Sequence, residues 1–137
     1  MTQLKKQFIS KPILVRYVET DQMGIVHHSN YLRYFEVARL EWLTALGVSY
    51  TSMEQHGILM PVIDANLSYK TSAFFEDSLI VHIQLEEIPR VKIKFSYEIK
   101  NQKDQVVCLG HTSLAFLNAE TRKPMRCPEN FSALFED

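Results

Sequence analysis

The sequence predicts an α+β domain in which one long helix lies on an antiparallel sheet. Residues 29–46 place apolar side chains at helical spacing, whereas the chain from Ile58 onward alternates apolar and polar residues in four strand-length segments. Turn formers separate the segments: Gly24, Gly47, Gly57, Ile88-Pro89 and the polar run Asn101–Gln105.

With 137 residues, 46% of them hydrophobic and 23% charged, the chain is expected to be one domain that buries a full core. A net charge of −1 gives no bulk electrostatic reason to bind nucleic acid or an anionic membrane. The first ten residues are a polar lead-in, Met1–Phe8 lacks the apolar stretch of a signal peptide, and no apolar run approaches the length of a membrane span. Cys108 and Cys127 have neither pairing nor metal spacing and read as reduced thiols, so a cytoplasmic location is expected.

In chain order, Pro12–Tyr17 is a short β-branched run that proline can open. Gly24 supplies a turn, Ser29 or Asn30 is a suitable N-cap, and the helix should reach Leu46 with Gly47 closing it. Arg33, Glu36, Leu40, Glu41 and Thr44 share its polar side. Tyr31, Tyr34, Phe35, Ala38, Trp42, Ala45 and Leu46 fill a wide opposite arc, suited to a helix wrapped by a sheet. Thr51 and Glu54 have capping-box spacing for a short second helix ending at Gly57. The strands expected next are Val62–Lys70, Ser78–Leu85, Arg90–Lys100 with Val91, Ile93, Phe95, Tyr97 and Ile99 inward, and Val106–Leu117, joined as a meander. A turn or short helix should follow around Phe131 and Leu134.

Chemistry converges at residues 17–31. Asp21 lies seven residues ahead of His28, where the helix should begin and where free backbone N–H groups and the positive dipole end are available. Asp21 is thus a candidate nucleophile or general base, with the His28 backbone N–H as oxyanion donor. The alternative is a loop aspartate that only closes an Asx-turn. His27 and His28 should point apart, and no ligand stands at the usual offsets, so no metal site is expected. One imidazole is expected to shape the site or bond the Asp21 loop. Glu36 and Glu41 are the alternative carboxylates, but on the polar arc with Arg33 they read as members of solvated ion pairs. Arg90, Lys92 and Lys94 alternate along one strand face, either as a solvated surface or as a clamp for phosphates.

Arg16-Tyr17, Thr20-Asp21, Met23–Val26, Asn30-Tyr31, Phe35–Arg39, Leu46–Tyr50, Gly57–Val62, Tyr69-Lys70 and Phe95–Ile99 together resemble the hotdog-fold acyl-CoA thioesterases, specifically the 4-hydroxybenzoyl-CoA thioesterase-like group. The resemblance covers about residues 11–126. It implies a central helix wrapped by a five- or six-stranded antiparallel sheet. It also implies subunits paired edge to edge, as a homodimer or homotetramer, with the site at their interface. Asp21 takes the family's catalytic aspartate position and the His28 N–H its oxyanion position. Tyr17, Gly24 and Tyr31 are expected to contact substrate, and Arg90 and Lys92 to hold the phosphates of coenzyme A, which is part of the substrate; no separate cofactor is implied. Hotdog hydratases set Asp and His five residues apart around Asn-Pro, whereas His27 and His28 stand six and seven past Asp21. The expected activity is acyl-CoA hydrolysis, the alternatives being acyl-carrier-protein thioesters as substrates or a non-catalytic thioester-binding module.

Overall fold

The computed structural model describes Lys6–Glu136. The expected α+β layering is present. Helix α1, Ser29–Ala45, lies on a six-stranded antiparallel sheet ordered β1-β5-β6-β7-β4, with β2 also paired to β5. The strands are β1 (Gln7–Ile9), β2 (Ile13–Leu14), β4 (Val62–Tyr69), β5 (Ser78–Leu85), β6 (Lys92–Lys100) and β7 (Val106–Ala115). A second pair, β3 (Ile58–Leu59) with β8 (Leu117–Asn118), braces the short helix α2 (Tyr50–Gln55), and the tail holds α3 (Glu129–Ser132).

Several local expectations are corrected. Residues 1–5 of the polar lead-in lie outside the described residues, but Gln7–Ile9 is a strand paired with His82–Gln84. Three residues carry too little alternation to announce a strand, and the pairing is set by a partner more than seventy residues away. The Pro12–Tyr17 run shortens to β2 because Tyr17–Glu19 turns into a 3-10 helix. The meander holds for β5, β6 and β7 only, since β4 crosses to the far side and pairs with β7. Val91 is 57% exposed rather than inward, because the strand starts at Lys92, two residues later than expected.

α1 begins one residue early for a Ser29 cap and two for an Asn30 cap. His28 occupies the cap position in helical conformation and offers no side-chain cap. At the other end Gly47 (φ +84°) and Val48 donate N–H groups to the Thr44 and Leu43 carbonyls, a Schellman closure. α2 is capped by Ser49, which accepts the Ser52 N–H, rather than by Thr51.

The helix lies close to the sheet at one point. Phe35 stacks flat on Tyr97, with ring centroids 4.0 Å apart. A Cβ on Gly110 would fall 2.5 Å from Phe35 Cε2 and 3.0 Å from the Asn66 carbonyl oxygen, so only glycine fits there. Beside this contact Arg39 is buried and donates to the Tyr97 hydroxyl at 3.0 Å, and Tyr97 shares a hydrogen bond with Thr112. The polar atoms taken into this core are therefore bonded. In contrast β4, at the sheet edge, leaves Val62 and Ile63 about half exposed.

Candidate active site

The loop that carries Asp21 is a closed hairpin. Thr20 and Val26 bridge its neck, Asp21 N–H donates to the Ile25 carbonyl at 2.8 Å, and Gly24 (φ +80°) makes the tip that a residue with a Cβ would strain. Asp21 Oδ1 accepts the Met23 N–H at 2.8 Å and the Ile25 N–H at 3.4 Å. The Asx-turn reading is thus correct for that one oxygen. Among the described residues Oδ2 has no partner, so one carboxylate oxygen fixes the loop and the other is available for chemistry.

Asp21, Met23, Val26, His28, Tyr31 and Tyr69 line a cleft of about 360 Å³, which Lys70, Thr71 and Ser72 complete. The cleft opens at the N-terminus of α1. No acidic side chain stands in the helix's first turn, so the positive end of its dipole is left facing the cleft. His27 Nδ1 takes the Ser29 N–H at 3.3 Å, and the His27 carbonyl takes the Asn30 N–H at 2.9 Å. Among the described residues nothing accepts the His28 backbone N–H. His28 lines the cleft at the positive end of the helix dipole, and its backbone N–H is unspent.

Burial pushes the Tyr31 phenol up to about 12, so it keeps its proton and remains a donor across ordinary pH. Its ring packs 5.5 Å from that of Tyr69, giving the cleft an aromatic wall. The two histidines do not point apart as expected. Their rings lie 4.2 Å apart, His27 bonded to Ser29 and His28 in the cleft wall.

The neck is secured by a residue that sequence reasoning passed over. Glu19 is 8% exposed, and its Oε1 accepts the Arg16 N–H and the Tyr34 hydroxyl, each at 2.9 Å. Its Oε2 takes the Arg16 guanidinium at 3.1 and 3.2 Å. Burial raises the Glu19 pKa, but the bonds from Arg16 and Tyr34 outweigh it and hold the carboxyl below its usual range. The available signal was a glutamate two residues before Asp21 with Tyr34 one helical turn past Asn30.

Other expected residues fall elsewhere. Tyr17 lies outside the cleft, 76% exposed and edge-on to Phe75 at 5.6 Å. Gly24 serves the loop tip rather than the wall. Glu36 faces Arg39 at 4.0 Å, not Arg33, and Glu41 accepts the Lys11 N–H. Arg90, Lys92 and Lys94 line a separate surface hollow with Glu87 and Val91. Within one chain they are at the far end of the sheet. Tyr69 pairs with Cys108 and that with Ile99, while Lys92 lies seven residues back along β6, roughly 23 Å at the strand rise.

The family model for the thioesterase-like superfamily matches residues 15–135. The chain belongs to this superfamily, and with it to the thioester hydrolases. A crystal structure of a DHNA-CoA thioesterase from Staphylococcus aureus superposes with a TM-score of 0.84 and 41% identity, over 88% of this chain and 80% of that one. YneP of Bacillus subtilis, whose acyl-CoA thioesterase activity is itself an assignment, is 38% identical over 88% of both chains. The acyl-CoA thioesterase YbgC of Haemophilus influenzae is 28% identical over 92% of this chain and 93% of its own length. The hotdog expectation for the fold is met. Among the described residues no helix is long and apolar enough to cross a membrane.

Proposed function

We propose that the protein hydrolyses acyl-CoA thioesters to the free acid and coenzyme A at the Asp21 cleft. The observation that carries this reading is the pairing of a half-free carboxylate with the unspent His28 N–H at the N-terminus of α1. The thioester carbonyl oxygen would take the His28 N–H as negative charge develops on it. Asp21 Oδ2 either attacks the carbonyl carbon, forming an anhydride that water cleaves, or draws a proton from attacking water. In both routes the C–S bond breaks, and the thiolate leaves and is protonated. The Tyr31–Tyr69 wall favours an aryl acyl group, as does the Staphylococcus aureus relative named for DHNA-CoA.

Coenzyme A rather than carrier protein is favoured by the Arg90–Lys94 cations, given the assembly that the β4 edge suggests. Two β4 edges paired antiparallel about a two-fold axis would set Val62 of a second copy beside Tyr69. Because Val62 pairs with Leu114 and Leu114 with Ile93, the start of that copy's β6 would stand three strand spacings away, about 14 Å. The half-exposed Val62 and Ile63 would then be covered.

The test is turnover of a panel of benzoyl-, 1,4-dihydroxy-2-naphthoyl- and straight-chain acyl-CoAs, with matching carrier-protein thioesters, read with a thiol reagent. Release of coenzyme A, fastest from aryl substrates, is expected. Binding without release would make the cleft a sensor, and preference for carrier-protein thioesters would move the substrate class. Sedimentation equilibrium should show a dimer or a pair of dimers.

A further inference from the structure

We infer that Glu19 is a positioning residue for the hydrolysis, latching the Asp21 hairpin to the first two turns of α1. The inference rests on the reading of Asp21 above. Glu19 is gripped from both sides by the same helix. Asn30 Nδ2 donates to its carbonyl at 2.8 Å, and Tyr34, one turn on and on the same face, donates to its carboxylate at 2.9 Å. The His27 N–H reaches the same Glu19 carbonyl at 2.9 Å, on the far side of the hairpin neck. Arg16 holds the carboxylate from the strand side through its backbone N–H and its guanidinium.

These bonds converge on one residue, two positions before Asp21 and at the base of a loop whose tip, Gln22–Gly24, is exposed. The return arm of the hairpin is anchored in the core by buried Val26, whose N–H donates to the Ala73 carbonyl at 2.8 Å, whereas the Asp21 arm leads into a tip with Met23 75% exposed. On the Asp21 arm, the ties to α1 are the polar bonds of the latch. Displacement of a reacting group by about 1 Å can cost up to 10²-fold in rate. Loosening the latch should reduce kcat and leave binding of the acyl-CoA, which uses the cleft walls and surface cations, nearly unchanged.

Glu19→Gln keeps the shape but presents an amide where the Arg16 guanidinium needs a carboxylate oxygen. Tyr34→Phe keeps the ring packed and removes only the hydroxyl, so it serves if Glu19→Gln folds poorly. The experiment measures kcat and KM of both variants in the native background and in an Asp21→Asn background. In the native background, kcat is expected to fall about tenfold for Glu19→Gln and less for Tyr34→Phe, with KM within about twofold. In the Asp21→Asn background neither should reduce kcat further, because the carboxylate they position is gone. Equal losses in both backgrounds, a rise in KM in place of the fall in kcat, or native kcat for both variants while Asp21→Asn is inactive would overturn the latch alone. Normal turnover by Asp21→Asn itself would instead remove the Asp21 reading, and the latch with it.

Discussion

The two ends of the sheet differ in how they hold the groups proposed to act on the substrate. At the β4–β7 end near Tyr69 and Cys108, Asp21 is fixed by backbone turns, a buried carboxylate and the end of α1. At the β6 start, Arg90 and Lys92 are exposed, and Lys94 meets Glu87 at 3.3 Å as a surface ion pair. Groups that must meet a reacting atom need fixed geometry, whereas groups that attract phosphates need only charge and reach. One end should therefore fail by small displacements, and the other only by loss of charge.

The strongest way to break this contrast is to push α1 off the sheet. Gly110→Ala forces a Cβ into Phe35 and should destabilise the fold by about 1–3 kcal/mol, as overpacking does. Among molecules that remain folded, it should reduce kcat more than it raises KM, measured beside thermal unfolding. An unchanged melting temperature would show that the contact yields freely. Next in size, Arg90→Ala with Lys92→Ala should raise KM for acyl-CoA several-fold with kcat almost constant, and added salt should mimic the change in the native protein. If KM ignored both, the stripe would be only a solvated strand face.

A smaller effect distinguishes the ends by pH. The Glu19 carboxyl is held below its ordinary 4.5, so its contribution is full above that pH and is lost as pH falls through the lowered folded value. Native protein should lose stability faster than Glu19→Gln as pH drops below about 4.5 in denaturant titrations. Parallel curves would mean that the carboxyl is not ionised in the fold. Least of all, burial pushes the Cys108 thiol up to about 11 and that of Cys127 up to about 12, so neither should react appreciably with the thiol reagent during an assay. Rapid labelling of the folded protein would contradict their burial.

What the sequence disclosed follows the same division. Elements with a long internal period were legible: α1 from its wide apolar arc, its end from Gly47, β6 from its near-strict alternation, and β5 and β7 as apolar strand-length runs between turns. The crossing of β4 was not, because strand neighbours are chosen by contacts distant in sequence. Asp21 stood out through its place before a helix and a glycine turn. Glu19, Asn30 and Tyr34 did not, since a buried carboxylate and its donors show no period and declare themselves only once the hairpin closes on the helix. Arg39 was missed for a similar reason: its aliphatic stem and head are buried by bonds to Tyr97, which lies fifty-eight residues away.

The most direct test is single-site chemistry at Asp21. Asp21→Asn preserves the shape of the side chain and an oxygen for the Met23 N–H while removing the charge. It should bind acyl-CoA with near-native affinity, as measured by calorimetry, while kcat falls by a factor on the order of 10² or more. Glu36→Gln, changed on the exposed face of the same helix, should lose little. Near-normal turnover by Asp21→Asn together with loss of turnover in Glu36→Gln would contradict the assignment and move the catalytic carboxylate to the helix.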